Sequence, residues 1–186
     1  MPNFFYFSAN QTISSTENAS RFSDLRQAGK AKSFTEFFCQ EYPWISDLTI
    51  EASAGLPVIY AEQKRDKRLV PLPEVSGGIN RIIGILLAIA SNPGTIVLVD
   101  KIENGLYYKH YGALWRLLLS LCRENNSQLL LTTHNIEWLN HLLENTKKKH
   151  SDIALFRVSR GKDIPLIEKF HADSARNAIL HGVEIR

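Results

Sequence analysis

Three stretches hold side chains that could do chemistry together. In IVLVDKIENGLYY, residues 96–108, four apolar residues run into Asp100, and charged and turn-forming residues follow. A buried strand that delivers a carboxylate to its C-terminal end places an acid beside a metal–phosphate site. In SQLLLTTH, residues 127–134, a second apolar run ends in Thr132, Thr133 and His134. Ser76-Gly77-Gly78 opens an apolar helix; small residues there let backbone N–H groups approach an anion, which the helix dipole favours. If the two strands are neighbours, Asp100 and His134 share one rim, with an acid for magnesium and an imidazole for a γ-phosphate. Each piece alone has a plainer explanation: a turn carboxylate, a helix cap, a packed loop histidine. Their order along the chain makes the set informative.

These groups need elements to hold them. FFYFSA (4–9) predicts a short strand. ASRFSDLRQAG predicts a helix, with Ser15 or Thr16 as its cap and Gly29 as its stop. SFTEFFCQEYPW predicts a second helix, with Ser33 and Glu36 as a capping box and Pro43 as its end. SDLTIEAS (46–53) and LPVIYAEQ (56–63) read as a hairpin turning at AGLP. It places Leu48, Ile50 and Ala52 inward. A charged loop, KRDKR (64–68), and LVPLPEV (69–75) lead away from it. From 76 to 149 the order becomes helix, strand, helix, strand, helix, with breaks at Asn92-Pro93-Gly94. That alternation predicts an α/β fold with a mainly parallel sheet. The strands at 95–100 and 127–134 are apolar at successive positions, so both faces should be covered. Helices are expected at 107–126 and 135–149, strands at 152–160 and 164–170 joined at Gly161-Lys162, and a closing helix at 172–182.

Composition narrows the class. The 186 residues predict a single domain, 1–186, with 1–75, 76–150 and 151–186 as its successive parts. Hydrophobic residues make up 44% and charged residues 22%, which is globular rather than disordered. Lys and Arg number 22 against 19 Asp and Glu, a surplus too small to argue for nucleic acid. Cys39 and Cys122 are far apart and read as free thiols in a reducing compartment. The first residues show no secretory signal, and the longest apolar run, 82–90, is about half a bilayer span. The expectation is a cytoplasmic protein with no membrane partner.

Residues 76–140 resemble the C-terminal half of an ABC-type ATPase head. The group is that of the OLD, RecF and SMC proteins, often called AAA-type. SGGINR (76–81) is similar to its signature, IVLVD (96–100) to its Walker B strand, KIENGLYY (101–108) to its D-loop and TTHN (132–135) to its switch. The resemblance implies a partial P-loop NTPase fold, with an N-terminal helical and hairpin segment before the signature. It implies ATP and Mg2+ as cofactors. Asp100 would hold magnesium through water, and His134 would contact the γ-phosphate. Ser76, Gly77 and Gly78 would touch the γ-phosphate of a nucleotide on the opposite subunit, while Asn104 and Gly105 would form the D-loop at a dimer seam.

Two departures stand beside these matches. No G-x-x-x-x-G-K-[ST] occurs in the 186 residues, so the backbone cradle and lysine that hold the β- and γ-phosphates are missing from them. The expectation is that the chain begins after that loop, as a split or shortened family member. Lys101 also stands where the family carries its catalytic Glu, and an ammonium cannot accept a proton from attacking water. Lys101 could pair with Glu103, with Asp100 or with a phosphate. Together with His134, Lys101 and Glu103 are the candidate catalytic residues.

The reading is an ATP-binding-type domain fragment that does not hydrolyse ATP alone. It would contribute signature and Walker B elements in a homodimer or to a P-loop-containing chain. The alternative is an interaction or regulatory module that keeps only the fold. DNA is a further candidate client, on the resemblance and on the basic runs KRDKR and TKKKH (146–150), which a solvated surface also explains. The strand at 96–100 needs a cover for its edge, expected from 4–9 and 46–75 or from a homodimer contact.

Overall fold

A computed structural model describes residues 3–145, 153–161 and 164–170. The chain divides into two compact units between Thr132 and Thr133. The helix expected at 172–182, the basic run at 146–150 and Lys162 lie outside the described residues.

The first unit is built round one helix. It contains β1 (Phe4–Phe7), α1 (Ser15–Gln27), α2 (Ala31–Glu41), β2 (Ile45–Ser53), β3 (Leu56–Gln63), β4 (Leu69–Pro71) and the single-turn α3 (Leu72–Val75). It continues with α4 (Gly77–Ser91), β5 (Ile96–Val99), α5 (Tyr111–Glu124) and β6 (Gln128–Leu131). Residues Gly78–Ala90 of α4 are all buried. A helix that is apolar all round belongs inside a core, and α1, α3, α5 and β5 pack against this one. Truncating one of its fully buried residues, Ile85 for instance, would cost about 2–5 kcal/mol. α4 begins where Ser76 caps it, its Oγ accepting the Gly78 N–H at 3.2 Å, and Gly94, at φ 74°, turns the chain after it.

The first unit holds two sheets, the antiparallel one packed on α1 and the parallel one on α4. β2, β3 and β4 form an antiparallel sheet whose first hairpin turns at Ala54 and Gly55, both at positive φ. A register shift between Ile45 and Asp47 puts Ile45 and Leu48, three residues apart, on the buried side. Beyond Leu48 the burial fades along the same face: Ile50 is only half-buried, and Ala52, expected inward, is exposed. The KRDKR loop caps the next bend with every residue exposed, and Lys67 turns back to Glu62 at 2.8 Å.

The other sheet is parallel throughout, in the order β1-β5-β6. The expected α/β architecture, a parallel sheet flanked by helices, is the one observed. β1 covers one edge of β5, as an early segment was expected to do, while residues 45–71 build the separate antiparallel sheet instead. Among the described residues the expected cover on both faces is not found. Val97, Val99 and Phe7 are buried on the side where α4 packs. On the reverse side Phe4, Tyr6 and Leu130 stay exposed, at 61%, 54% and 46%. An apolar run says that a strand is fit for two-sided burial; it does not say that the second layer is present.

The strands expected at 127–134, 152–160 and 164–170 are shorter than expected, and three helix starts are displaced. α1 is capped by Ser14, whose Oγ accepts the Glu17 N–H, one residue before the expected cap. α2 starts at Ala31 without a side-chain cap, so Ser33 lies inside its first turn and Glu36 closes no box. The earlier start follows the aromatics: Phe34 packs on Phe22 with ring centroids 6.2 Å apart, and Phe38 on Tyr42 at 4.6 Å. The helix expected from 107 begins at Tyr111, after a 3-10 turn over Tyr108–His110.

The second unit holds α6 (Ile136–Asn145) and the antiparallel hairpin of β7 (Leu155–Ser159) with β8 (Leu166–Phe170). Asn135 Oδ1 accepts the Trp138 N–H at 3.0 Å, capping α6. Among the described residues no helix is long and apolar enough to cross a membrane.

Candidate functional site in the first unit

The site is the C-terminal rim of the parallel sheet. β5 and β6 are neighbours in register, with Val99 opposite Leu131. The next residues, Asp100 and Thr132, therefore meet across the rim, and Thr132 Oγ1 donates to Asp100 Oδ1 at 2.7 Å. The same hydroxyl accepts the Lys101 N–H at 2.9 Å. The Asp100 carboxyl is held below the usual carboxylate range, first by the Thr132 hydrogen bond. The Ala9 backbone and the charges of Lys101 and Arg81 act in the same direction. It is an ionised hard-oxygen donor at neutral pH.

Arg81 fixes the rim from below. Its guanidinium, in the second turn of α4, donates to Ser8 O at 2.6 Å and to Asp100 O at 2.8 Å. It thus ties the ends of β1 and β5 together. Burial lowers its pKa, while Asp100 and Glu103 act to raise it. Asp100 N donates to Phe7 O, and Asn104 Nδ2 to Ala9 O, adding two more ties between the β1 exit and the loop after β5.

That loop packs on the start of α4. A Cβ built on Gly78 would meet the Gly105 carbonyl oxygen at 1.9 Å, so only glycine admits this approach. Gly105 itself sits at φ 76°. Gly77 is exposed, with nothing within 4 Å of its own virtual Cβ. The two glycines thus differ: Gly78 is consumed by the contact with the loop, and Gly77 faces open space. Ser76 Oγ is engaged as the cap.

Lys101 is exposed and adopts φ 48°, in the left-handed region that lysine seldom enters. Among the described residues its ammonium makes no ion pair. Glu103 is half-buried and accepts the Leu106 N–H on its carbonyl. His134 is an exposed residue of the second unit, two positions past the Thr132 that meets Asp100. The structure therefore brings together Ser76, Gly77, Gly78, Asp100, Lys101, Glu103, Asn104 and Gly105 on the first unit. Sequence reasoning missed Arg81 and undervalued Thr132, whose roles depend on partners far along the chain. The only available signals were a charged residue in an otherwise apolar helix and a hydroxyl directly after an apolar strand.

The residues present fit a magnesium-bound nucleotide in part. Asp100 supplies the carboxylate that magnesium takes, and Gly77 leaves backbone uncovered at a helix start. Among the described residues no group of three or more His, Cys, Asp or Glu side chains could hold a metal alone. A single carboxylate suits an ion that phosphate oxygens and waters complete.

The site is thus a glycine-opened helix packed on the loop of an Asp-ended parallel strand. The family described as "AAA domain, putative AbiEii toxin, Type IV TA system" matches residues 5–140, and the chain belongs to it. The lipoprotein-releasing system ATP-binding protein LolD of Rickettsia conorii is 31% identical over 85 residues. That match covers 45% of this chain and 38% of LolD, so the chain spans well under half of this relative. Solved SMC heads share the fold. The SMC head domain from Thermotoga maritima superposes with a TM-score of 0.57 at 15% identity, over 89% of this chain and 53% of its own. A chain from work on ATP-driven dimerization and DNA-stimulated activation of SMC ATPases gives 0.60 at 15% identity, over 89% of this chain and 99% of that one.

Proposed function

We propose that this chain supplies the signature and Walker B parts of an ATP site and hydrolyses no ATP alone. The phosphate-binding loop comes from outside these 186 residues. One observation carries the reading: the rim is built round an ionised Asp100, yet the next residue is an exposed lysine where an acid would activate water. Asp100 would hold Mg2+ through water, and the bound ion would neutralise phosphate charge. Lys101 would add a second cation at the γ-phosphate, favouring binding over turnover. Gly77, with Ser76 and Gly78, would face a nucleotide held by the opposite subunit, with Asn104 and Gly105 at the seam. The dimerization of the SMC relatives supports a two-chain site, either a homodimer or a pair with a P-loop-containing ATPase.

Isothermal titration of the isolated chain with Mg-ATP tests this. No binding in the micromolar range is expected; micromolar binding would refute the need for a separate phosphate loop. In an assembly that does bind ATP, Lys101→Glu should raise turnover by at least tenfold. An unchanged rate would clear Lys101 of limiting it.

A further inference from the structure

The reverse face of the β1-β5-β6 sheet carries exposed apolar side chains. The parallel register puts Phe4, Ile96 and Gln128 in one row and Tyr6, Leu98 and Leu130 in the next, all on the same side. Phe4, Tyr6 and Leu130 are exposed, and Ile96 and Leu98 are only half-buried. Five of these six side chains are apolar, two of them aromatic. Parallel sheets carry helices on both faces because their crossovers lay them there. Here α4 packs on β5, and α1 and α5 pack on α4, so the first unit's long helices gather on the opposite side.

The dimensions select the occupant. Three neighbouring strands of four residues make a patch of about 13 by 10 Å. One helix is about 10 Å wide and covers 13 Å with roughly nine residues. A stable contact between two copies needs roughly 20–30 residues a side, and six cannot supply it. The patch also ends at the Asp100 rim, since Asp100 follows the last β5 residue. A helix lying along it would bring one end beside that carboxylate.

We infer that this face docks an amphipathic helix belonging to the polypeptide that carries the phosphate-binding loop. The inference rests on the proposed function and adds the surface by which the two parts join. Phe4, Tyr6 and Leu130 are its anchors, and helix docking removes them from water while presenting the loop to Asp100.

A photoreactive benzophenone amino acid at position 6 of the full chain, irradiated in host cells, tests the surface. Position 6 is already exposed, so the replacement does not disturb the core. The expected product is a cross-link to a helix of a polypeptide containing G-x-x-x-x-G-K-[ST], identified by mass spectrometry. The same reagent at Leu69 on the antiparallel sheet should not give it. Leu130→Ser should reduce the position-6 cross-link at least fivefold. Cross-links to a second copy of this chain or to residues 133–186, or none at all, would overturn the inference. The proposed function has its own readout, Mg-ATP binding by the assembly purified through this chain. Binding without the cross-link rejects the docking face alone, and a cross-link without binding rejects the nucleotide site alone.

Discussion

A Cβ on Gly78 would lie 1.9 Å from the carbonyl oxygen of Gly105, so the first turn of α4 and the loop after β5 touch backbone to backbone. Gly78→Ala must therefore push the loop away or shift the helix. The expected cost is about 1–3 kcal/mol, as for other overpacked sites. Gly77→Ala, with open space at its virtual Cβ, should change stability by about 0.5 kcal/mol or less. Urea unfolding of the two variants measures the contrast; equal costs would contradict the contact.

Arg81 is 6% exposed and donates to the carbonyls of Ser8 and Asp100. Arg81→Met leaves both acceptors without their charged donor, and a loss of about 2–4 kcal/mol is expected. Arg81→Lys should recover less than half of it, because one ammonium cannot reproduce the planar fork that spans two strand ends. Thermal melts of the three proteins decide this.

The Asp100 carboxyl titrates below its ordinary value of 3.8, chiefly because Thr132 donates to it. A carboxylate with a depressed folded pKa contributes stability that is complete above its unfolded value. It loses that contribution as pH falls through the folded value. The effect therefore shows only below about pH 4. Thr132→Val should move the Asp100 titration upward in carbon-13 NMR of the carboxyl group. An unmoved midpoint would remove the hydroxyl from the account.

Lys101 holds φ 48°, a conformation that side chains with a Cβ resist and glycine accepts. Lys101→Gly should stabilise the fold by about 0.5–1 kcal/mol, net of glycine's greater freedom in the unfolded chain. A denaturation midpoint that falls instead would show that the ammonium makes a stabilising contact.

Burial pushes the thiols of Cys39 and Cys122 up to about 11. Both stay protonated at pH 8, so alkylation by iodoacetamide should run roughly a hundredfold slower than for a free cysteine. In denaturant the rate should become ordinary. Fast labelling of the native protein would argue against this burial.

The sequence by itself determined what local physics controls. Ser76 before two glycines and an apolar run specified α4 and its cap, because capping and helical burial act within a few residues. Ile96–Val99 specified a strand ending at Asp100, and Ala54-Gly55 specified a hairpin turn. The ordered segments also carried the resemblance that the family match bears out. The tertiary structure decided everything that joins distant residues. It alone set Arg81 between Ser8 and Asp100, Thr132 on the carboxylate 32 positions earlier, and Gly78 against Gly105. It also left Phe4, Tyr6 and Leu130 exposed on one face of the parallel sheet. A strand's own residues determine whether it can be buried on both sides, but only the placement of the helices determines whether it is.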